Sequence, residues 1–177
     1  MGNYASHWVA DLDATIGRFA DRAERALASG VVLRGLEASD LPSLYRLAIA
    51  GFAGNWMYSP IEPDEFATIY AADRVSAGAP SSFVATVDGK VVGFYYTFRT
   101  ELPVGTTSIG KTIVVDSAER DRGIYHLMMS AWLRDARAAG IPAIATLFHL
   151  DGSPALMGWQ RAGDAFKHYV LFEHQRV

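Results

Sequence analysis

Apolar residues recur along this chain with two different periods, and the alternation between them predicts its elements. From His7 to Ser29, the residues Trp8, Leu12, Ile16, Phe19, Ala23 and Ala26 stand three or four apart, with Asp, Arg and Glu between them. That spacing predicts one amphipathic helix closed by Gly30. Val31 to Leu36 is a short β-prone run. Ser39-Asp40-Leu41-Pro42 then combines an N-cap residue with a first-turn proline, which predicts a helix to about Phe52. A second helix is expected from Glu62 or Pro63 to about Ser76. Ser82 to Val87 and Val91 to Phe98 read as strands joined through Asp88-Gly89-Lys90, a hairpin signal, and Thr107 to Val115 reads as a third. Helical spacing returns in Ile124, Leu127, Met128, Ala131, Trp132 and Ala136, and Gly140-Ile141-Pro142 stops it. A strand over Ala143 to Leu150, a short helix from Asp151-Gly152-Ser153-Pro154 to Arg161 and a strand over Ala165 to Glu173 complete the chain.

The resulting order, αβααβββαβαβ, is that of an α+β domain with a mixed, mostly antiparallel sheet flanked by helices. The three consecutive strands form an antiparallel meander, and the two strands around the long helix form a parallel crossover. Residues 1–30 are expected to be an N-terminal helical extension and residues 31–177 the main domain. The apolar stripe of the extension needs a partner, either its own domain or a second copy in a homodimer.

Composition narrows the functional classes. A chain of 177 residues can bury a sizeable single core, and the absence of cysteine removes disulfides, thiolate nucleophiles and cysteine-ligated metals. The first residues lack a basic region followed by an apolar core, and there is no run of about eighteen apolar residues, so the expected location is cytoplasmic, without a membrane partner. A formal charge of −3 argues against nucleic acid as a partner but permits a local basic pocket. No histidine or carboxylate pair has ligand spacing such as His-x-x-x-His, so no metal is expected.

One stretch does suggest chemistry. The β-branched run ending at Val115 is broken by Asp116-Ser117 and followed by Arg120-Asp121-Arg122-Gly123 immediately before the long helix. A helix start has unpaired N–H groups and the positive end of the dipole, so a loop with arginines and a glycine there can hold a phosphate.

This order, with Arg120-Asp121-Arg122-Gly123-Ile124-Tyr125 at the crossover, resembles the GNAT family of acyl-CoA-dependent N-acyltransferases. The family motif is Gln/Arg-x-x-Gly-x-Gly/Ala; Arg120 and Gly123 match it, and Tyr125 departs from it. The resemblance implies acetyl-CoA or another acyl-CoA as cosubstrate. Backbone groups around Ile113 and Val115 would pair with the pantetheine arm, and the N–H groups of Asp121, Arg122, Gly123, Ile124 and Tyr125 would face the diphosphate. It also implies a slot between splayed parallel strands, in which an amine attacks the thioester directly, aided by proximity and by donors to the oxyanion. The acceptor would be a small-molecule or amino-acid-like amine.

The usual proton carriers of the family are missing. Four residues before Gly163, where many members have a tyrosine acid, stands Trp159; on the strand before the motif, where a glutamate base is common, stand Lys111 and Thr112. His149, near the end of the strand expected to line the slot, is the candidate catalytic base, with His126 behind it. Trp56, Tyr58, Tyr95, Tyr96, Glu101 and Trp159 are candidate substrate-wall residues, the aromatics suiting an apolar group and Glu101 a cationic amine. The tail, with Tyr169, Phe172 and Glu173, resembles a subgroup that often lacks the tyrosine acid and carries Trp and Pro before its second helix, as Trp56 and Pro60 do here. Three alternatives remain open: a catalytically silent acyl-CoA-binding regulatory module, a longer-chain acyltransferase that takes its donor from acyl carrier protein, and a structural subunit without coenzyme A in which Tyr125 plugs the diphosphate site.

Overall fold

The structure is a computed structural model that describes residues 3–9, 12–53, 61–70, 82–102, 105–141, 143–149 and 166–172. In chain order these form β1 (Asn3–Val9), α1 (Leu12–Ala28), β2 (Val32–Gly35), α2 (Leu41–Phe52), α3 (Pro63–Ile69), β3 (Phe83–Val87), β4 (Lys90–Leu102), β5 (Gly105–Val115), α4 (Ile124–Ala138), β6 (Ala143–His149) and β7 (Phe166–Phe172). The strands make one mixed sheet in the order β2-β3-β4-β5-β6-β1-β7. Every neighbouring pair is antiparallel except β5 and β6, which flank the α4 crossover and run parallel.

The meander follows from local signals. Asp88 and Gly89 both take positive φ, 49° and 77°, the geometry of a two-residue hairpin whose twist matches its strands. β4 continues past the expected end at Phe98 to Leu102, since its ladder with β5 extends to the Leu102–Gly105 pair. α3 closes at Tyr70, and the expected continuation to Ser76 lies outside the described residues, as does the helix expected before Arg161.

The N-terminus differs from the sequence reading. The single helix expected over His7–Ser29 is a strand and a helix: His7 and Trp8 belong to β1, and α1 begins at Leu12. Trp8 continues the helical spacing, but β1 gains ladder hydrogen bonds on both sides by lying between β6 and β7. Pairing with strands far away in sequence outweighs a local periodicity.

Each face of the sheet carries two helices. On one face, α1 and α4 bury Ile16, Phe19, Ala23 and Ala26 with Leu127, Met128, Trp132 and Leu133. The stripe on α1 is therefore used inside this chain. The two helices run antiparallel: Asp13 at the start of α1 pairs with Arg137 near the end of α4, while Arg122, just before α4, donates to the Ser29 carbonyl just after α1 at 2.5 Å. On the other face, α2 and α3 set Leu44, Leu47, Phe66 and Tyr70 against Val84, Phe94, Tyr96 and Val114.

The turn into α2 is held by Asp40, whose carboxylate receives both Arg34 guanidinium nitrogens at 2.7 Å and the Glu37 N–H at 2.9 Å. Burial acts to raise the Asp40 pKa, but the Arg34 fork and the Glu37 N–H prevail and hold it below the ordinary carboxylate value. A carboxylate depressed in the folded state stabilises above its unfolded pKa, and that stability is lost as pH falls through the lowered folded value. Asp40→Asn should therefore cost about 2 kcal/mol at neutral pH. It should also flatten the loss of stability below about pH 4, as read from urea melts across an acid series. An unchanged acid limb would mean that this pair contributes nothing.

Candidate active site

The site begins where two parallel strands separate. β5 and β6 pair only from Thr107–Ala143 to Gly110–Thr146. Beyond that point β5 runs on to Val115, whereas Ala145 to His149 of β6 pair with β1, from Trp8 back to Tyr4. A bulge lies at the parting: the β4–β5 register shifts between Tyr96 and Thr97, leaving Lys111 as the extra residue of β5. A bulge sharpens local twist, which turns the end of β5 away from its neighbour. The result is a fork with Lys111–Val115 on one side and the end of β6 on the other.

At the vertex stands Gly110. A Cβ built there would overlap the Tyr95 hydroxyl and lie 2.8 Å from ring Cζ, so the absence of a side chain is what lets the Tyr95 ring cross β5. Tyr95 is buried with its ring edge-on to Trp132, at 5.2 Å between centroids, and burial raises its hydroxyl pKa well above the ordinary value, with a smaller push from Tyr125. The Trp132 indole N–H donates to Ser108 Oγ at 2.8 Å and fixes that corner.

The open end of β5 leads into a cavity of about 640 Å³ at the start of α4. The Asp116 side chain accepts the Ala118 N–H and turns the chain, Asp121 and Gly123 take positive φ, 68° and 81°, and α4 starts at Ile124. Gly123 is the N-cap and has no side chain with which to satisfy the first-turn N–H groups, which lack in-helix acceptors. Val115, Arg120, Asp121, Arg122, Gly123, Ile124 and Tyr125 all line the cavity, and of the residues expected to hold the cofactor only Ile113 does not. Ile113 packs against the α1–α4 core.

The two arginines of the loop differ. Arg122 bonds Glu119 at 2.6 Å and the Ser29 carbonyl, so its charge is engaged in joining the loop to α1. Arg120 is exposed and has no hydrogen bond or ion pair among the described residues. The Tyr125 ring, which stands where the motif has a small residue, is turned onto Phe19 of α1 in an edge contact with centroids 6.2 Å apart. His126 accepts from Arg22 at 3.3 Å through Nε2, and its pKa is pushed down to about 4 by burial and then by Arg22 and Arg25.

The remaining candidates are spread over the sheet. Tyr96 is buried on the α2–α3 face, its ring 4.8 Å from that of Tyr70. Tyr70 in turn shares a 2.8 Å hydrogen bond with Thr112, and Lys111 Nζ lies 5.6 Å from the Tyr70 ring centre. Glu101 accepts from Thr106 at 2.6 Å at the closed end of the β4–β5 ladder, roughly 17 Å of strand from the bulge. His149 ends β6, three residues past the last β5–β6 pair, which places it on the far side of the fork. Trp56, Tyr58 and Trp159 lie outside the described residues. Among those described, no cluster of three or more His, Asp or Glu side chains is placed to hold a metal, and no helix is long and apolar enough to cross a membrane.

Arg22 and Arg25, on α1, also line the cavity, and sequence reasoning missed them. The available signal was Arg18, Arg22 and Arg25, spaced by four and three along the polar side of an amphipathic helix.

A parallel fork whose open strand leads to a helix start with a basic loop defines the class of fold that GNAT acetyltransferases share. The sequence matches the acetyltransferase (GNAT) domain over residues 11–149, and the chain belongs to that family. Solved structures agree in fold. An aminoglycoside acetyltransferase from an uncultured soil metagenomic sample, in complex with sisomicin, superposes with a TM-score of 0.66 at 16% identity, over 85% of this chain and 99% of that one. The aminoglycoside N-acetyltransferase AAC(6')-Iy in complex with CoA gives 0.63 at 19% identity, over 83% and 95%. A predicted acetyltransferase with acetyl-CoA from Clostridium acetobutylicum gives 0.61 at 14%, over 73% and 88%. No curated protein matches the sequence.

Proposed function

We propose that the protein transfers an acyl group, acetyl in the simplest case, from acyl-CoA to the amine of a small molecule. The observation that carries this reading is the continuity of the fork with the cavity. An elongated donor has an acyl thioester at one end and phosphates at the other. Here a strand segment that beyond Gly110 is paired with β4 but no longer with β6 leads directly to a basic helix start. Ile113 and Val115 stand on that segment as backbone partners for the pantetheine arm, and the loop from Arg120 to Tyr125 takes the diphosphate. Backbone donors at a helix start act whatever the side chain, so Tyr125 is compatible with this role once its ring lies on Phe19. That similar structures contain CoA, acetyl-CoA or an aminoglycoside supports a CoA donor and a small amine acceptor.

In the transfer the amine nitrogen bonds to the thioester carbonyl carbon, the carbon–sulfur bond breaks, and the amine gives up a proton while the departing thiolate gains one. The fork supplies proximity, and a water-poor slot strengthens donors to the carbonyl oxygen. His149, on the β6 side, is the proposed base; His126 serves less well, since its lowered pKa makes it a weak proton acceptor and it lies at the phosphate end.

The test is release of free thiol from acetyl-CoA across a panel of small amines, beside calorimetry with CoA. Amine-dependent thiol release that falls on His149→Ala supports both the reaction and the base; turnover unchanged by that substitution removes His149 from the mechanism. Binding without thiol release for any amine supports the silent acyl-CoA module instead, for which the absence of a carboxylate on Lys111–Val115 already speaks.

A further inference from the structure

The phosphate end of the cavity has more basic groups than a diphosphate loop requires, and the additional ones come from α1. Arg22 and Arg25 line the same space as Arg120, although about a hundred residues separate them in sequence. Arg25 and Arg120 are exposed and have no ion pair among the described residues, and Arg22 has only its 3.3 Å bond to His126. Two acidic groups share the lining: Glu119, bound to Arg122, and Asp121. Four arginines and two carboxylates thus line one basin, a local excess of positive charge in a chain whose overall charge is negative, and three of those arginines have no ion pair among the described residues.

Like charges gathered around a concave surface repel one another and are retained at a cost unless an anion fills it. Arginine suits this purpose because its planar fork meets phosphate oxygens two at a time. Their position along the site indicates which anion. The fork receives the acyl end and the loop receives the diphosphate; coenzyme A continues from there into a ribose that carries a separate 3'-phosphate. α1 borders the cavity beside the loop, against Gly123 and Arg122, and is the element from which further arginines reach its lining.

We infer that Arg22 and Arg25 of α1 form a subsite for the 3'-phosphate of coenzyme A, so that the N-terminal segment is part of the cofactor site and selects a free coenzyme A thioester as donor. The inference rests on the acyl-CoA reading above. It distinguishes donors as well, because a phosphopantetheine arm on acyl carrier protein ends at its own single phosphate and has no 3'-phosphate to place here. The positive field of these side chains is already expressed on His126, which they help to keep neutral.

Calorimetry of the full chain with coenzyme A, 3'-dephospho-coenzyme A and holo acyl carrier protein tests it, in the wild type and in Arg22→Gln/Arg25→Gln. Wild type should prefer coenzyme A over the dephospho form by about tenfold or more, and the double variant should lose that preference while binding the dephospho form as before. Arg25→Gln alone, an exposed change that breaks no side-chain hydrogen bond or ion pair among the described residues, should lose part of it with an unaltered melting curve. Equal affinity of the wild type for the two nucleotides, or an equal loss for both in the variant, overturns the subsite and leaves the acyl-CoA reading intact. Binding of acyl carrier protein in preference to coenzyme A overturns it as well, and no binding of any of the three refutes the acyl-CoA reading with it.

Discussion

Replacing Gly123 with alanine is expected to destabilise the protein by roughly 2–5 kcal/mol and to abolish measurable coenzyme A binding. Two causes combine. Gly123 has φ 81°, a conformation that costs a residue with a Cβ about 1–2 kcal/mol, and the added carbon would overlap the carbonyl oxygen of Arg22. That oxygen is backbone within α1, so it cannot swing aside; the loop, the start of α4 or the whole of α1 has to move. Overpacking of this kind costs about a further 1–3 kcal/mol. The combined effect should lower the melting temperature by on the order of 10 °C. Gly140 supplies the control, since it has φ 65° and open space around its missing Cβ, so Gly140→Ala carries the conformational penalty alone. If thermal melts show the two substitutions to be equally costly, the contact between Gly123 and α1 is not what the structure makes it.

The second large effect concerns the fork. Gly110→Ala should cost about 1–3 kcal/mol and slow the proposed acyl transfer by about 10- to 100-fold, because it strikes the residue at which β5 and β6 part. Its backbone is ordinary strand, so the penalty comes entirely from the Tyr95 ring, which Trp132 hems in from the side. That origin can be isolated in a double-mutant cycle. In a Tyr95→Leu background, Gly110→Ala should become nearly neutral, giving a coupling of about 1–2 kcal/mol in denaturant melts. Strict additivity would show that the glycine is needed for some reason other than the tyrosine.

Both predictions concern close approaches between elements distant in sequence, and that distance separates what could be read in advance from what could not. The β3–β4 hairpin was legible because Asp88-Gly89 carries its own turn geometry. α4 was legible because its apolar stripe and its Gly140 stop are local. The loop from Arg120 to Gly123 was legible as a basic turn into a helix start for the same reason: a strand, a glycine and a helix start lie within a dozen residues. β1 was not. Its Trp8 falls in step with the helix that follows, and nothing in residues 3–9 reports that β6 and β7 leave a gap of one strand between them.

The same division runs through the site. The sequence by itself determined the α+β architecture, the parallel crossover and the helix start that points to a phosphate, since each depends on periodicities and turn residues that act over a few positions. Only the tertiary structure decided that β5 and β6 part at Gly110, that Tyr125 turns onto Phe19, and that two arginines of an N-terminal helix enter the cavity. Those outcomes depend on how α1 packs on α4 and how β1 draws the end of β6 aside. Such packing is a competition among surfaces far apart in the chain, and no local stretch encodes its result.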